Sequence, residues 1–220
     1  MPELDTPLHV DMLKEYHDQN TFVHRVRRAV REVVFPNRFY GLQWGDPELS
    51  GPQVFMRNKY VLPYINPKHI ALEIGPGGGR WTRYLLGFKK LYVVDHYPQL
   101  LNELKKRFNK PTMQFITNNG TDFPGVPDKS IDYIVSVACF VHLEPHLIES
   151  YLKNMVRILK PGGNVFLTYS DKTKVGAQIN HTFTNVTPGA MREMISSAGF
   201  KIVEEDLTIL WNSGVVLFTR

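Results

Sequence analysis

The sequence has few of the features that would place a protein in a membrane or outside the cell. It contains one cysteine, Cys139, which excludes an internal disulfide and a cysteine-based zinc site. No run approaches the eighteen apolar residues of a membrane-spanning helix, and the opening MPELDTPLHV lacks the charged-then-apolar order of a signal peptide. We therefore expect a soluble, cytoplasmic protein that makes no use of a membrane.

A strong charge of either sign is also missing. Lysine and arginine outnumber aspartate and glutamate by only 26 to 21. Such a mild excess is usually a matter of solubility and gives weak support to nucleic-acid binding. The chain has 220 residues, of which 43% are apolar, and this suffices for one folded unit with a substantial core.

What is present is an alternation of strand-like and helix-like segments, which predicts a parallel sheet. The strand-like segments are rich in β-branched and aromatic residues; they are ALEI (71–74), LYVVD (91–95), MQFIT (113–117), IDYIVSV (131–137) and NVFLTYS (164–170). The fifth follows an apolar helical pattern, from Pro145 to Leu159, and the turn KPGG.

The last part of the chain predicts a helix and two further strands. Thr187 and Pro188 are typical of a helix N-cap and first helical residue, and Gly199 of a helix end. The strands KIVEED and GVVLFTR are joined by a short connection, which suits an antiparallel pair. The fold class is therefore α/β: a Rossmann-like, mostly parallel seven-stranded sheet with helices on both faces and the last strand reversed.

The first 60 residues differ from the rest and predict an N-terminal helical and turn-rich cap. VHRVRRAVREVVF (23–35) has valines on one helical side and arginines elsewhere, and the following residues to about 53 are rich in turn formers. We expect two parts, a cap over 1–60 and the sheet-forming core domain over 61–220.

The segment HIALEIGPGGGRWTRYLLGF (69–88) joins a buried strand to a helix through a glycine-rich turn. Such a turn lets ligand atoms approach the main chain and offers unpaired amide donors, which implies a nucleotide-like cofactor. A dinucleotide fingerprint that begins at Gly75 requires glycine at position 80, where the chain has Arg80, and one that begins at Gly77 requires glycine in place of Thr82. A nicotinamide cofactor is therefore disfavoured.

The glycines and the preceding acid, Glu73, Gly75, Gly77 and Gly79, form the pattern E-x-G-x-G-x-G, which resembles motif I of the class I S-adenosylmethionine-dependent methyltransferases. The turn NNGTDFPGVPDKSIDYIVS and the LKPGG before the fifth strand resemble later elements of the same family. The resemblance covers about residues 65–220. The stretch FVHLEPHLIESYLKNMVRILKPGG is similar to bacterial methyltransferases of sugar and secondary metabolism.

The resemblance implies a set of residues that bind S-adenosylmethionine. The glycine motif would hold the cofactor, and Asp95, which ends the second strand, would accept the two ribose hydroxyls. The family's acidic turn before strand four would contact adenine, either through Asn119 or Asp122 or through the intervening backbone of Gly120 and Thr121. Ser136, in the fourth strand, completes the expected cofactor set.

The resemblance also implies how the methyl group is transferred. His142, just after the fourth strand, would lie at the rim that faces the methyl group and is the first candidate for a general base; His181 and His146 are reserves. A packing or positioning role for His142 is the alternative. Some relatives use magnesium through an acid at this place, whereas this chain has Val137, Ala138 and Cys139. We therefore expect no metal.

The acceptor is expected to be a small molecule, polyhydroxylated or anionic, with a hydroxyl favoured over an amine. The family's nucleic-acid amine methylases carry an Asn/Asp-Pro-Pro-aromatic motif after strand four, where this chain has SVACF. Residues that could roof an acceptor pocket, or else simply pack, are Phe39, Tyr40, Trp44, Tyr60 and Trp81, with Arg57 or Lys59 for an anionic group. The alternatives are an N-methyltransferase, a nicotinamide-dependent oxidoreductase and a non-catalytic cofactor-binding regulator.

Overall fold

The computed structural model describes residues 45–220, and these contain one seven-stranded sheet. Its strands are β1 (Ile70–Ile74), β2 (Lys90–Asp95), β3 (Met113–Thr117), β4 (Ile131–Ser136), β5 (Leu159–Ser170), β6 (Lys201–Asp206) and β7 (Ser213–Thr219). They lie in the order β3-β2-β1-β4-β5-β7-β6, with β1 to β5 parallel and β7 antiparallel to both β5 and β6. The predicted α/β fold with a reversed last strand is confirmed.

Six α-helices connect or flank the strands in the described part of the chain. They are α1 (Gly51–Met56), α2 (Thr82–Leu85), α3 (Pro98–Arg107), α4 (Pro145–Ile158), α5 (Val175–Gln178) and α6 (Pro188–Ser197). As the sequence predicts, α6 begins after Thr187, whose side-chain oxygen accepts a hydrogen bond from the backbone N–H of Ala190 at 3.3 Å, and ends before Gly199, which has a φ of 88°.

Helices cover both faces of the sheet because the strand residues alternate between two cores. In β1, Leu72 and Ile74 pack with residues of α4 and α6, whereas Ala71 packs with residues of α1, α2 and α3 on the other face. Each face therefore has its own buried apolar cluster, and the carboxyl ends of the parallel strands emerge between these two layers.

The sequence predicts that KPGG forms a turn before the fifth strand, and this prediction is wrong. β5 already begins at Leu159 and runs through these residues. Pairing with β4 shifts register between Ile131 and Tyr133, which is a bulge in the ladder. Gly162, with a φ of 77°, lets the chain bulge while its N–H donates to the carbonyl of Arg220 at 3.1 Å. The glycines thus bend a strand that continues past them.

The predicted helix over 23–35 and the aromatic residues Phe39, Tyr40 and Trp44 lie outside the described residues. The chain is described from Gly45, and a turn over Asp46–Ser50 is tied to α2 and to the helical segment after α1. Arg83 Nη2 lies 2.6 Å from Asp46 Oδ1, and Arg57 Nη1 lies 2.6 Å from Glu48 Oε2. After α1 the chain continues through a π-helical turn (Arg57–Val61) and a 3-10 turn (Leu62–Tyr64) into β1.

No helix within residues 45–220 is long and apolar enough to cross a membrane.

Candidate cofactor and acceptor site

The predicted cofactor residues converge at the carboxyl edge of the sheet, where β1 lies between β2 and β4. Glu73 of β1 pairs with Val93 of β2 on one side and with Val135 of β4 on the other. The chain order reverses between β1 and β4, and the crevice at such a switch point is where open α/β sheets bind ligands. The loops that follow β1, β2 and β4 are therefore neighbours.

The glycine turn after β1 has its conformation fixed partly by the protein's own side chains. Gly75 and Gly79 have φ angles of 66° and 81°, which favour glycine. A Cβ on Gly75 would lie 2.7 Å from Sγ of Cys139, and one on Gly79 would lie 2.5 Å from the ring of Phe108. These two glycines are thus required by packing inside the molecule as well as by any approach of a ligand. Gly77, between them, has a φ of 52°.

Glu73 is buried beside this turn, with 3% of its surface exposed. The hydroxyl of Thr82 donates to its Oε2 at 2.6 Å, which connects β1 to the first residue of α2. Burial raises the pKa of Glu73 to about 8, opposed by the Thr82 hydrogen bond and assisted by the nearby charge of Asp95. At neutral pH the carboxyl is largely protonated, so Glu73 fixes the loop as a neutral group.

Asp95 ends β2 as a nearly buried carboxylate. It is 8% exposed, and its Oδ1 accepts from the backbone N–H of Tyr97 at 2.9 Å. Burial raises the pKa of Asp95, while the hydrogen bond from Tyr97 lowers it. A charged group so placed is stabilised by further donors, and two vicinal hydroxyls of a ribose are donors of the right kind. The structure therefore fits the nucleoside part of S-adenosylmethionine at this place.

Asn119 and Asp122 lie in a turn after β3, and the side chain of each accepts a hydrogen bond from the backbone N–H of the other. Oδ1 of Asn119 accepts from the N–H groups of Thr121 and Asp122, at 3.0 and 3.1 Å, and Oδ1 of Asp122 accepts from the N–H of Asn119 at 2.9 Å. The acceptor oxygen of Asn119 is thus occupied. Asp122 still has a second carboxylate oxygen that can accept a hydrogen bond. Gly120 and Thr121 complete the same turn.

Asn118 organises this turn, and the sequence reasoning missed it. Its Oδ1 accepts from the N–H of Gly120 at 3.1 Å, and its Nδ2 donates to the hydroxyl of Tyr151 at 2.9 Å and to the carbonyl of Asp122 at 3.0 Å. Tyr151 belongs to α4, so Asn118 connects the turn after β3 to the helix after β4. The signal was the asparagine before the Asn-Gly pair, since asparagine favours turns by bonding the backbone two residues on.

The turn after β4 packs directly against the glycine turn. The hydroxyl of Ser136, which is fully buried, donates to the carbonyl of Ile74 at 3.0 Å, so this predicted cofactor residue joins β4 to β1. Ala138 has a φ of 62°, unusual for a residue with a Cβ, and its N–H donates to Oγ1 of Thr168 at 2.9 Å. Burial raises the pKa of the Cys139 thiol to about 12, so Cys139 remains a neutral packing group.

His142 ends a 3-10 turn, Phe140–His142, that follows β4. Its Nδ1 lies 2.9 Å from the carbonyl oxygen of Thr182, and its ring meets the ring of Phe183 edge-on at 5.6 Å. A carbonyl only accepts, so Nδ1 must carry a proton, and in the neutral imidazole Nε2 is then the basic nitrogen. His142 is exposed, which leaves this nitrogen accessible to an acceptor molecule.

The reserve histidines make no metal site with His142 in the described part of the chain. His146 lies in the first turn of α4 and His181 in the loop after β5, and both are exposed. Among residues 45–220, no group of three or more histidine, cysteine, aspartate or glutamate side chains is arranged to hold a metal ion.

The described aromatic candidates for a pocket roof pack in the core that lies against α1 to α3. Tyr60 is 1% exposed, stacks on Phe166 at 5.0 Å, and donates to Glu204 Oε1 at 3.0 Å; Trp81 is likewise buried. Lys59 pairs with Glu204, as Arg57 does with Glu48. The described aromatic residues therefore pack in the core and the two cations form ion pairs. For the aromatic residues, packing is one of the two alternatives that follow from the sequence, the other being the roof of an acceptor pocket.

Comparison with known proteins gives a family match over part of the chain and curated relatives that match in part. Residues 71–163 match the family described as a methyltransferase domain. An uncharacterized methyltransferase-like protein of Schizosaccharomyces pombe is 30% identical over 110 residues, which are 49% of this chain and 41% of that protein. The chain thus matches about two fifths of the length of this curated relative.

Solved structures share the fold at low sequence identity. A protein from Pyrococcus horikoshii superposes with a TM-score of 0.66 at 16% identity, covering 86% of this chain and 97% of that one. An S-adenosylmethionine-dependent methyltransferase from Mesorhizobium loti gives 0.65 at 14% identity, with coverage of 82% and 100%. A methyltransferase of Haloferax volcanii, described as putative and solved in complex with the Trm112 activator, gives 0.57 at 18%, with coverage of 76% and 92%. Residues 71–163 are thus similar to a methyltransferase domain, and the chain shares the fold of solved structures that include an S-adenosylmethionine-dependent methyltransferase.

Proposed function

We propose that the protein transfers a methyl group from S-adenosylmethionine to a hydroxyl group of a small molecule, with His142 as the general base. The observation that carries the proposal is the hydrogen bond between Nδ1 of His142 and the Thr182 carbonyl. This bond makes Nε2 the basic nitrogen of the neutral ring, and His142 is exposed in the turn after β4, at the carboxyl ends of the strands that also carry the proposed cofactor loops. A base is needed for an alcohol, whereas a neutral amine or a carboxylate needs none.

The proposed cofactor site uses the loops after β1, β2 and β3. In the glycine turn the N–H groups of Gly75 and Gly79 already donate to the carbonyls of Val94 and Pro76, so the main chain at Gly77 would be the part that the ligand approaches. Asp95 would accept from the ribose hydroxyls, and Asp122 would accept from the adenine amino group. The Asn119 side chain keeps this turn in shape, since its oxygen is already bonded to Thr121 and Asp122. When bound, S-adenosylmethionine supplies an electrophilic methyl group on its sulfonium.

Catalysis in this proposal consists mainly of positioning. Holding donor and acceptor in line in a water-excluded site can supply most of the rate enhancement. His142 would contribute by accepting the proton of the acceptor hydroxyl on Nε2. Proton transfer to a positioned base contributes typically about 10²- to 10⁴-fold. The loops after β4 and β5 surround His142 and would form the acceptor side of the site.

The acceptor class we favour is polyhydroxylated and uncharged. Of the two cations first considered for an anionic acceptor, Arg57 is paired with Glu48 and Lys59 with Glu204. After β5, Lys172 donates to the carbonyl of Ala177 at 2.7 Å and Lys174 to that of Leu210 at 2.7 Å. These four cations are therefore engaged within the protein. A neutral sugar-like or phenolic hydroxyl requires none of them.

The proposal also states that the reaction needs no metal ion and that the cofactor is S-adenosylmethionine rather than a nicotinamide dinucleotide. No carboxylate is present at positions 137–139, where metal-using relatives carry one. Calorimetric titration should show binding of S-adenosylhomocysteine and none of NADH. Binding of NADH alone would overturn the assignment in favour of an oxidoreductase. Binding of S-adenosylhomocysteine without turnover of any acceptor in a screen that measures its release would favour a regulatory protein.

The His142→Ala variant tests the base. We expect turnover of the acceptor found in that screen to fall by about 100-fold or more while affinity for S-adenosylhomocysteine stays near normal. His146→Ala is the matched control, because His146 is an exposed histidine four residues further on. A His142→Ala enzyme with most of its turnover would favour an amine or carboxylate acceptor, or His181 as base.

A further inference from the structure

We propose that Thr184 is a positioning residue that fixes the orientation and the tautomer of His142. The inference rests on the proposed role of His142 as the base, although its geometry can be tested separately. Thr184 lies in the loop after β5, about forty residues along the chain from His142, and nothing in the local sequence of either residue connects the two. Their relation becomes visible only in the folded chain.

Thr184 forms hydrogen bonds with the residue before His142 and with the residue after it. Its backbone N–H donates to the carbonyl of Val141 at 3.0 Å. Its hydroxyl donates to the carbonyl of Leu143 at 2.9 Å, with the carbonyl of Val141 a further 3.3 Å neighbour. The residues before and after His142 are therefore held by one side chain, which is buried. The 3-10 turn cannot rotate without breaking these bonds.

Thr184 is itself fixed to the sheet. The hydroxyl of Ser170, the last residue of β5, donates to the carbonyl of Thr184 at 2.7 Å. The N–H of Val186 donates to the same carbonyl at 3.0 Å, and the N–H of Lys172 donates to the carbonyl of Val186 at 2.8 Å. Ser170 is fully buried, so this anchor is shielded from water. The position of the loop is thus set by β5.

The consequence for His142 follows from the short distance along the chain between Thr184 and Thr182. With Thr184 fixed, the carbonyl of Thr182 lies 2.9 Å from Nδ1 of His142, and the ring of Phe183 packs against the imidazole. A carbonyl oxygen selects the Nδ1–H form of the neutral ring and leaves Nε2 unprotonated. Thr184 thereby holds the ring in one orientation, with Nε2 as its basic nitrogen.

Nitrogen NMR on the isotope-labelled full chain tests this directly, because the two neutral tautomers of histidine have different ring-nitrogen shifts. In the wild type, above the pH at which the ring loses its charge, we expect His142 in the Nδ1–H form. In Thr184→Val, which keeps the shape but lacks the hydroxyl, we expect a mixture of tautomers. Turnover should fall by about tenfold, with KM and cofactor affinity unchanged. Thr184→Ser, which restores the hydroxyl, should return both readouts to near the wild type.

Thr219→Val is the matched control. The Thr219 hydroxyl also donates to a backbone carbonyl, that of Gly163 at 2.9 Å, but it lies near the opposite end of β5. This variant should leave the tautomer and turnover unchanged. If Thr184→Val does not fold, Ser170→Ala removes the anchor of Thr184 and should shift the tautomer in the same direction.

The outcomes separate the two proposals. A wild-type His142 that is mainly Nε2–H when neutral, or a folded Thr184→Val that keeps both tautomer and turnover, overturns the positioning role. If the tautomer changes in Thr184→Val but His142→Ala turns over normally, the base assignment fails and the positioning of the ring by Thr184 stands.

Discussion

At the scale of single residues, Asp95 gives the sharpest test of the cofactor site. Asp95→Ala should weaken binding of S-adenosylhomocysteine by about 1.5 to 3 kcal/mol, the usual size of a hydrogen bond to a charged group. Asp128→Ala is the control, since Asp128 is an exposed carboxylate that forms an ion pair with Arg157. Calorimetric titration of both folded variants decides the matter. Equal affinity of Asp95→Ala and wild type would remove Asp95 from the site.

The raised pKa of Glu73 predicts that the free energy of unfolding depends on pH. Its pKa in the folded protein is about 8, above the ordinary value of 4.5, so the folded protein retains a proton that the unfolded chain has lost between these values. Its contribution to the free energy of unfolding is therefore greatest at acid pH and declines as pH rises from about 4.5 to about 8. The decline should be on the order of a few kcal/mol.

The Glu73→Gln variant isolates this effect, since the amide oxygen can still accept from Thr82 but does not titrate. Relative to wild type, the variant should gain stability as pH rises from 5 to 8 in urea unfolding followed at several pH values. A stability difference that stays constant over this range would contradict the protonated state of Glu73.

At the scale of elements, we expect substitutions at two glycines of the same turn to have different effects, one on cofactor binding and the other on stability. Gly77→Val should abolish binding of S-adenosylhomocysteine while the fold persists, because a branched side chain at a φ of 52° opposes the backbone conformation next to the ligand. Gly79→Val should instead destabilise the protein, since its Cβ would lie 2.6 Å from Leu104 and 2.5 Å from Phe108. The measurements are calorimetric titration and thermal unfolding.

Gly125→Val controls for backbone strain alone. Gly125 has a φ of 74°, and a Cβ there would meet no atom within 4 Å. This variant should lose some stability and keep cofactor binding. If Gly77→Val binds as tightly as Gly125→Val, the glycine turn is not the cofactor site.

The elements also show what sequence reasoning can reach. Helix α6 was predicted at both ends, because a threonine N-cap and a terminal glycine are local signals. The strands were predicted by their apolar composition, but the extent of β5 was not, since a glycine pair can make either a turn or a bulge. For the site, motif spacing predicts that Asp95 and Glu73 lie at the carboxyl ends of neighbouring strands. The contacts of Thr184 and Asn118 depend on loops from distant parts of the chain and had no pattern along the sequence.

At the scale of the whole molecule, bound cofactor should raise the unfolding temperature through linkage. S-adenosylhomocysteine at about 100 times its Kd should stabilise the folded chain by about 2.7 kcal/mol. Addition of a chelator such as EDTA should change neither this melting temperature nor turnover. Loss of activity with chelator and its recovery with magnesium would contradict the metal-independent mechanism, whatever the behaviour of His142.

The order of the strands has a consequence for how such a protein can diversify. Within the described residues, 70–117 contain β1 to β3 and 131–219 contain β4 to β7. One genetic crossover between residues 118 and 130 would therefore join the half that carries most of the proposed cofactor site to a new half that carries the proposed acceptor side. The junction must preserve the fit of Gly75 against Cys139 and the bond from Asn118 to Tyr151. Recombinants that keep these contacts and the pairing of β1 with β4 are expected to fold and to differ in the molecules that they modify.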